Sequence, residues 1–168
     1  MRSEKRCSSP AGVLAVCLLA IAAWTPAPAQ DAHAHAHGQA GASVAEMTLD
    51  QGRKWGTDAP LRAGMAAINK AFETDHPAIH AGTETDAQYE ALAGRIEGEV
   101  NTIVANCHLP AAADANLHYV IADLLQGAAI MRGTVPGRVR HDGAALVHGA
   151  LIAYAGHFDD PQVAADRN

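Results

Sequence analysis

His33-Ala34-His35-Ala36-His37 is the strongest chemical signal in this chain. In an extended segment alternate side chains project to one side, about 6.8 Å apart. A chain free to bend can fold three such imidazoles around one ion, and histidine-rich exported tails take up copper, zinc or nickel in this way. A low-complexity spacer is the plainer reading of the same run. If trimming exposed Asp31, Asp31-Ala32-His33 would form a square-planar site for copper(II) or nickel(II).

Ten histidines in 168 residues is the outlying number of the composition. Two further sets come into view once the helices described below are arranged as a bundle. Met65, Cys107, His118 and His157 fall at one end. Thioether, thiol and two imidazoles suit copper, and Met65 with His157 alone suits a non-covalent haem b. His76, His80, His141 and His148 fall at the opposite end, where four neutral imidazoles suit zinc or copper(II). This second set reads as the weaker, because Pro77 interrupts the helix between His76 and His80 and His141 falls in the final loop or first turn. Each residue also has a plainer role. Met65 and Cys107 fit a core as hydrophobes, His118 fits an interhelical hydrogen bond, and His157 complements a helix C-terminus. A lone mature cysteine excludes the Cys-x-x-Cys-His motif of covalent haem.

Signatures of catalysis are missing from the sequence. It has no glycine-rich phosphate loop, no Gly-x-Ser-x-Gly, no His-Glu-x-x-His and no pair of carboxylates on an inward stripe. Glu97, Glu99 and Asp123 read as solvated helix faces, and the chain is expected not to be an enzyme. A net charge of −6 argues against nucleic acid as a partner, and 4% aromatic residues against a base-stacking platform.

The elements that must position these residues follow from pattern. Arg2, Lys5 and Arg6 precede an apolar run from Ala11 to Ala23 and a small-x-small exit at Ala27-Pro28-Ala29, the build of a signal peptide over 1–29. The run is too short to remain as a membrane anchor, so the expected product is periplasmic or secreted. Cleavage removes Cys7 and Cys17, leaves Cys107 alone, and takes the net charge to −8. Residues 30–45 hold almost no large apolar side chain and are expected to be a disordered histidine-rich tail. Met47, Leu49 and Trp55 mark an extended lead-in.

Four amphipathic patterns follow. Asp58 and Pro60 open the first, Leu61, Met65, Ile68 and Phe72 form its stripe, and it is expected to end near His76-Pro77. The second opens at Thr83 to Thr85 and carries Tyr89, Leu92, Ile96, Val100, Ile103 and Cys107. The third runs to Met131 with Leu117, Ile121, Leu124 and Ala128. Gly133 to Gly137 breaks the chain, and the fourth covers about 138–158 with Val147, Ala150, Leu151, Tyr154 and Phe158 inward. Short links predict an all-α, antiparallel up-down-up-down four-helix bundle over 46–161, followed by a short C-terminal tail over 162–168.

Certain residues also carry a family resemblance. Trp55, Thr57-Asp58-Ala59-Pro60-Leu61-Arg62-x-Gly64-Met65, Ile103-Val104-Ala105-Asn106-Cys107, Ala113-Asp114-x-x-Leu117-His118 and Phe158-Asp159-x-Pro161 resemble a group of small exported proteobacterial proteins labelled DnrO-like. The resemblance covers most of the stretch from Trp55 to Pro161 and implies export without implying a reaction. Those proteins usually read Asp-His-Pro-Gly-Trp where this chain reads Asp159-Asp160-Pro161-Gln162. The bundle also resembles periplasmic cytochromes of the c-prime and b type. The expected ligand is therefore a transition metal, copper first, with haem b as the alternative. A metal-free interaction protein, dimerising through a helix face, is the third reading.

Overall fold

The computed structural model describes residues 43–163. His33, His35 and His37 lie outside the described residues, as do the rest of residues 1–42 and residues 164–168. Four helices make up the domain: α1 (Ala59–His80), α2 (Asp86–Asn106), α3 (Ala111–Met131) and α4 (Arg140–His157). Each packs on the next, and α4 returns beside α1, giving the all-α up-down-up-down arrangement. No helix among the described residues is long and apolar enough to cross a membrane.

Asp58 starts α1 by accepting the Leu61 amide at 2.9 Å, with proline in the first turn. The helix does not stop at Pro77, as the sequence pattern leads one to expect, but continues to His80. Proline costs the hydrogen bond that its missing N–H would make. Carrying the helix one turn further buries Ile79 in the core, and apolar burial of that size offsets such a loss. Gly82, at φ +66°, then ends the helix, with Thr83 donating its amide to the Ala78 carbonyl at 2.9 Å. Thr85 and Gln88 form a reciprocal capping box that starts α2. Cys107 ends α2 in extended backbone, one step outside the helix.

Leu61, Met65, Ile68, Leu92, Ile96 and Leu124 centre a core shared by all four helices with Leu151, Tyr154 and Phe158. On α3 Val120 is fully buried, as Leu124 and Ala128 are, while Ile121 is only partly covered. Asp123 corrects a second expectation, since it is buried rather than solvated. Its Oδ2 accepts the Val44 amide at 3.3 Å, and the neighbouring Asn116 Oδ1 accepts the Thr48 amide at 2.8 Å. These two bonds latch the lead-in, including a 3-10 turn at Val44–Glu46, onto α3. At the other terminus Val163 is buried in the core.

The four seams differ. The α3–α4 seam is closest, and Gly127 and Gly143 set it. A Cβ on Gly143 would stand 2.5 Å from the Gly127 carbonyl oxygen and 2.8 Å from the Met131 amide nitrogen. The α1–α4 seam is by far the sparsest of the four. At one end it is closed by a β-bridge between Trp55 and Phe158. There Trp55 donates to the His157 carbonyl at 2.7 Å, and Asp159 donates to the Trp55 carbonyl at 2.8 Å. At the other end ion pairs link the remaining seams. Asp75 meets Arg95 between α1 and α2, and Glu97 meets Arg132 between α2 and α3. Arg140 of α4 reaches the Met131 carbonyl and also pairs with Asp86 and Glu90 of α2.

Glycine substitutions check this packing. Gly143→Ala should cost about 1–3 kcal/mol in urea unfolding, because the seam cannot open locally. Gly149→Ala, whose added Cβ meets nothing within 4 Å, should gain about 0.5–1 kcal/mol from the helix preference of alanine. Equal midpoints for the two variants would mean that the crossing is not tight.

Candidate metal centre

The open end of the α1–α4 seam forms a cavity of about 180 Å³, lined by Phe72, His76, Ile79 and His80 from α1 and by His141, Ala144, Ala145 and His148 from α4. Only these two helices build it. Because α1 runs unbroken through Pro77, His76 and His80 lie one turn apart on one face, the spacing at which two helical imidazoles can share a metal ion. Their ring centres are 6.2 Å apart. His148 faces them from α4 with its ring centre 5.3 Å from that of His76. Phe72 organises the pair, its ring 5.4 Å from His76 and stacked at 5.3 Å on His148. His141, two turns before His148, lines the cavity from the first turn of α4.

Burial pushes the His148 pKa below its ordinary value, and the neighbouring His76 adds to the effect. The neutral imidazole, which is the ligating form, is therefore favoured there. Among the described residues no three His, Cys, Asp or Glu side chains are already grouped to hold a metal ion. The cleft brings the rings near one another without converging their nitrogens, so coordination requires the side chains to rotate.

The other bundle end is organised differently. Met65 is fully buried within the apolar core. Cys107 hydrogen-bonds through its thiol to Asp58, and burial, with the Asp58 charge behind it, pushes the thiol up to about 11. Asp58 also accepts the Leu61 and His108 amides, the latter at 2.6 Å. Burial alone would raise its carboxyl, but these bonds outweigh it and hold the pKa low. His118 points to solvent with its side chain 67% exposed, and its Nδ1 lies 2.8 Å from the Asp114 carbonyl. His157 has Nδ1 2.8 Å from the Ala153 carbonyl. Met65 and His118 thus face the core and the solvent respectively, and Cys107 is engaged by a carboxylate. Asp160 is buried and accepts the Tyr154 hydroxyl at 2.9 Å.

The sequence held the signal for the cleft in the i, i+4 pair His76 and His80 and the i, i+7 pair His141 and His148. What it did not disclose was Phe72 as the shared stacking partner, or α1 continuing past its proline. Comparisons with protein families, curated proteins and solved structures find no match for the chain.

Two measurements check these environments. An imidazole whose folded pKa lies below its unfolded value leaves stability intact above about pH 6.5, and costs stability as pH falls towards the folded value. Between about pH 7 and pH 5 the wild-type chain should therefore lose more stability than His148→Gln. Parallel pH profiles would place His148 in open solvent. With its thiol near 11 rather than 9, Cys107 should react with iodoacetamide at pH 8 on the order of a hundredfold more slowly than a free cysteine. Alkylation at the free rate would mean that the thiol is neither buried nor held beside Asp58 in solution.

Proposed function

We propose that this chain is an exported transition-metal-binding protein and that the α1–α4 cleft is the bundle's contribution to binding. The observation that carries the reading is the grouping of His76, His80 and His148 around one cavity. An imidazole ring centre stands roughly 3.2 Å from an ion bound at the usual Zn–N distance, so two rings on one tetrahedral ion are about 5.2 Å apart. The His76–His148 spacing of 5.3 Å matches that figure, whereas the 6.2 Å between His76 and His80 must shorten by about 1 Å through side-chain rotation for both to share a tetrahedral ion.

The all-imidazole donor set favours copper(II) or zinc over softer ions. The sequence adds a leader directing export and a second histidine group at His33, His35 and His37. Seven of the ten histidines then fall into two metal-suited groups. No catalytic step is assigned, and metal uptake, buffering or delivery outside the cytoplasm is the role proposed.

Isothermal titration of the untagged full chain with copper(II) and with zinc(II) tests this. The chain should bind with micromolar or tighter affinity, and a variant with His33, His35 and His37 replaced by Ala should retain one ion. Adding His76→Ala and His148→Ala should remove that ion while helicity is unchanged. Loss of all binding in the tail variant would confine metal to the tail, and no binding by the parent chain would end the reading.

A further inference from the structure

The link that starts α2 carries a carboxylic acid where a helix start favours an apolar side chain. With Thr85 as the N-cap of α2, Glu84 occupies the position before the cap and Tyr89 the fourth position of the helix. In a hydrophobic staple these two positions hold apolar side chains packed on each other. Tyr89 suits that role and is buried. Glu84 is folded in as a staple residue would be, because both its carboxyl oxygens are closed off from solvent, yet neither has a hydrogen-bond partner. Its neighbours are fixed. Thr83 donates its amide and its hydroxyl to the Ala78 carbonyl at 2.9 and 3.3 Å, and Thr85 donates its amide to the Gln88 side chain at 3.0 Å.

Charge then decides whether the side chain can stay in. A buried carboxylate without a partner costs far more than the neutral acid. The groups around Glu84 do not offset that cost. Asp75 of α1, its side chain only 15% exposed, repels a second negative charge, and Arg95 of α2 is already paired with Asp75. Tyr89 carries no charge, burial having raised its phenol. Asp86 and Glu90, on the first turns of α2, pair with Arg140 of α4. Burial, with Asp75 behind it, accordingly moves the Glu84 carboxyl above its ordinary value. We infer that Glu84 is a proton-dependent clasp on the α1–α2 link. Neutral, it lies in beside Tyr89 as the staple; ionised, it swings into water and the start of α2 loosens. Glu84 does not line the histidine cavity, and the clasp works whether or not a metal binds there.

An acid whose folded value lies above its unfolded one takes stability away as pH rises through the folded value. The full chain and Glu84→Gln, both in EDTA, are compared between pH 4 and pH 8, so that titrations common to the two proteins cancel. The Glu84 carboxyl, followed by carbon-13 NMR, should titrate above the ordinary glutamate value of about 4.3. Protection of the Thr83 and Gln88 amides against hydrogen exchange, relative to Glu84→Gln, should fall with rising pH, about tenfold for each unit by which the midpoint is raised. The urea midpoint of Glu84→Gln should match that of the parent at pH 4 and exceed it at pH 7. A Glu84 midpoint at or below about 4.3 would overturn the clasp. A raised midpoint with unchanged amide protection would overturn it as well, by leaving the carboxyl buried without any hold on the helix start. So would a Glu84→Gln variant less stable than the parent at pH 7, since the carboxylate would then have a stabilising partner.

Discussion

The contact between Gly127 and Gly143 governs the shape of this bundle. Each glycine lets the backbone of its helix approach atoms of the other that no side chain would tolerate. Interiors pack at crystal-like density, so drawing α4 onto α3 must draw it away from something else. At this height that something is α1. Gly143 lies between His141 and Ala144, two residues that line the cavity. The tight seam and the open one are thus two faces of the same few residues of α4. Arg140 reinforces the bias by capping the end of α3 and pairing with α2, while no such tie runs to α1 among the contacts described.

The two ends of the domain consequently differ in kind. At the end near Trp55 the buried polar groups described above are used internally. Asp58 serves an amide of its own helix, an amide beyond α2 and the Cys107 thiol, and Asp160 holds the buried Tyr154 hydroxyl. Burial and that carboxylate push the phenol pKa upward, fixing the hydroxyl as a donor. Side chains committed in this way are poor candidates for exchangeable chemistry. At the opposite end the polar groups facing the seam are imidazoles whose ring contacts are with Phe72 and with one another.

How far this could be read from the sequence depends on which coordinate is asked for. Helix number, order and most inward positions were legible, because Leu61, Met65, Ile68 and Phe72, or Leu92, Ile96, Val100 and Ile103, repeat at helical spacing. Height along the bundle was also legible, and it sorted the histidines correctly into ends. Azimuth was not. Met65 and His118 share a height, yet one faces the core and the other faces water. Pro77 misled for a related reason, since a local penalty was weighed without the tertiary burial of Ile79 that offsets it. Asp123 was misread because its partner is the Val44 amide, 79 residues away, and no periodicity reports such a partner.

The Trp55 closure has a consequence for how the chain is made. Lys54 and Thr57 bond carbonyls 101 and 102 residues further along, and Trp55 itself bridges to Phe158. A chain that emerges N-terminus first must therefore wait until Asp159 has been made before this end can lock. Contacts of such separation form late, after the local helices and the sequential hairpins of the bundle. Until then α1 and α2 can pair only with each other, leaving their stripes open to whatever holds a nascent chain. The fastening that completes the fold therefore joins residues just before α1 to residues just after α4, and it can close only once all four helices have been made.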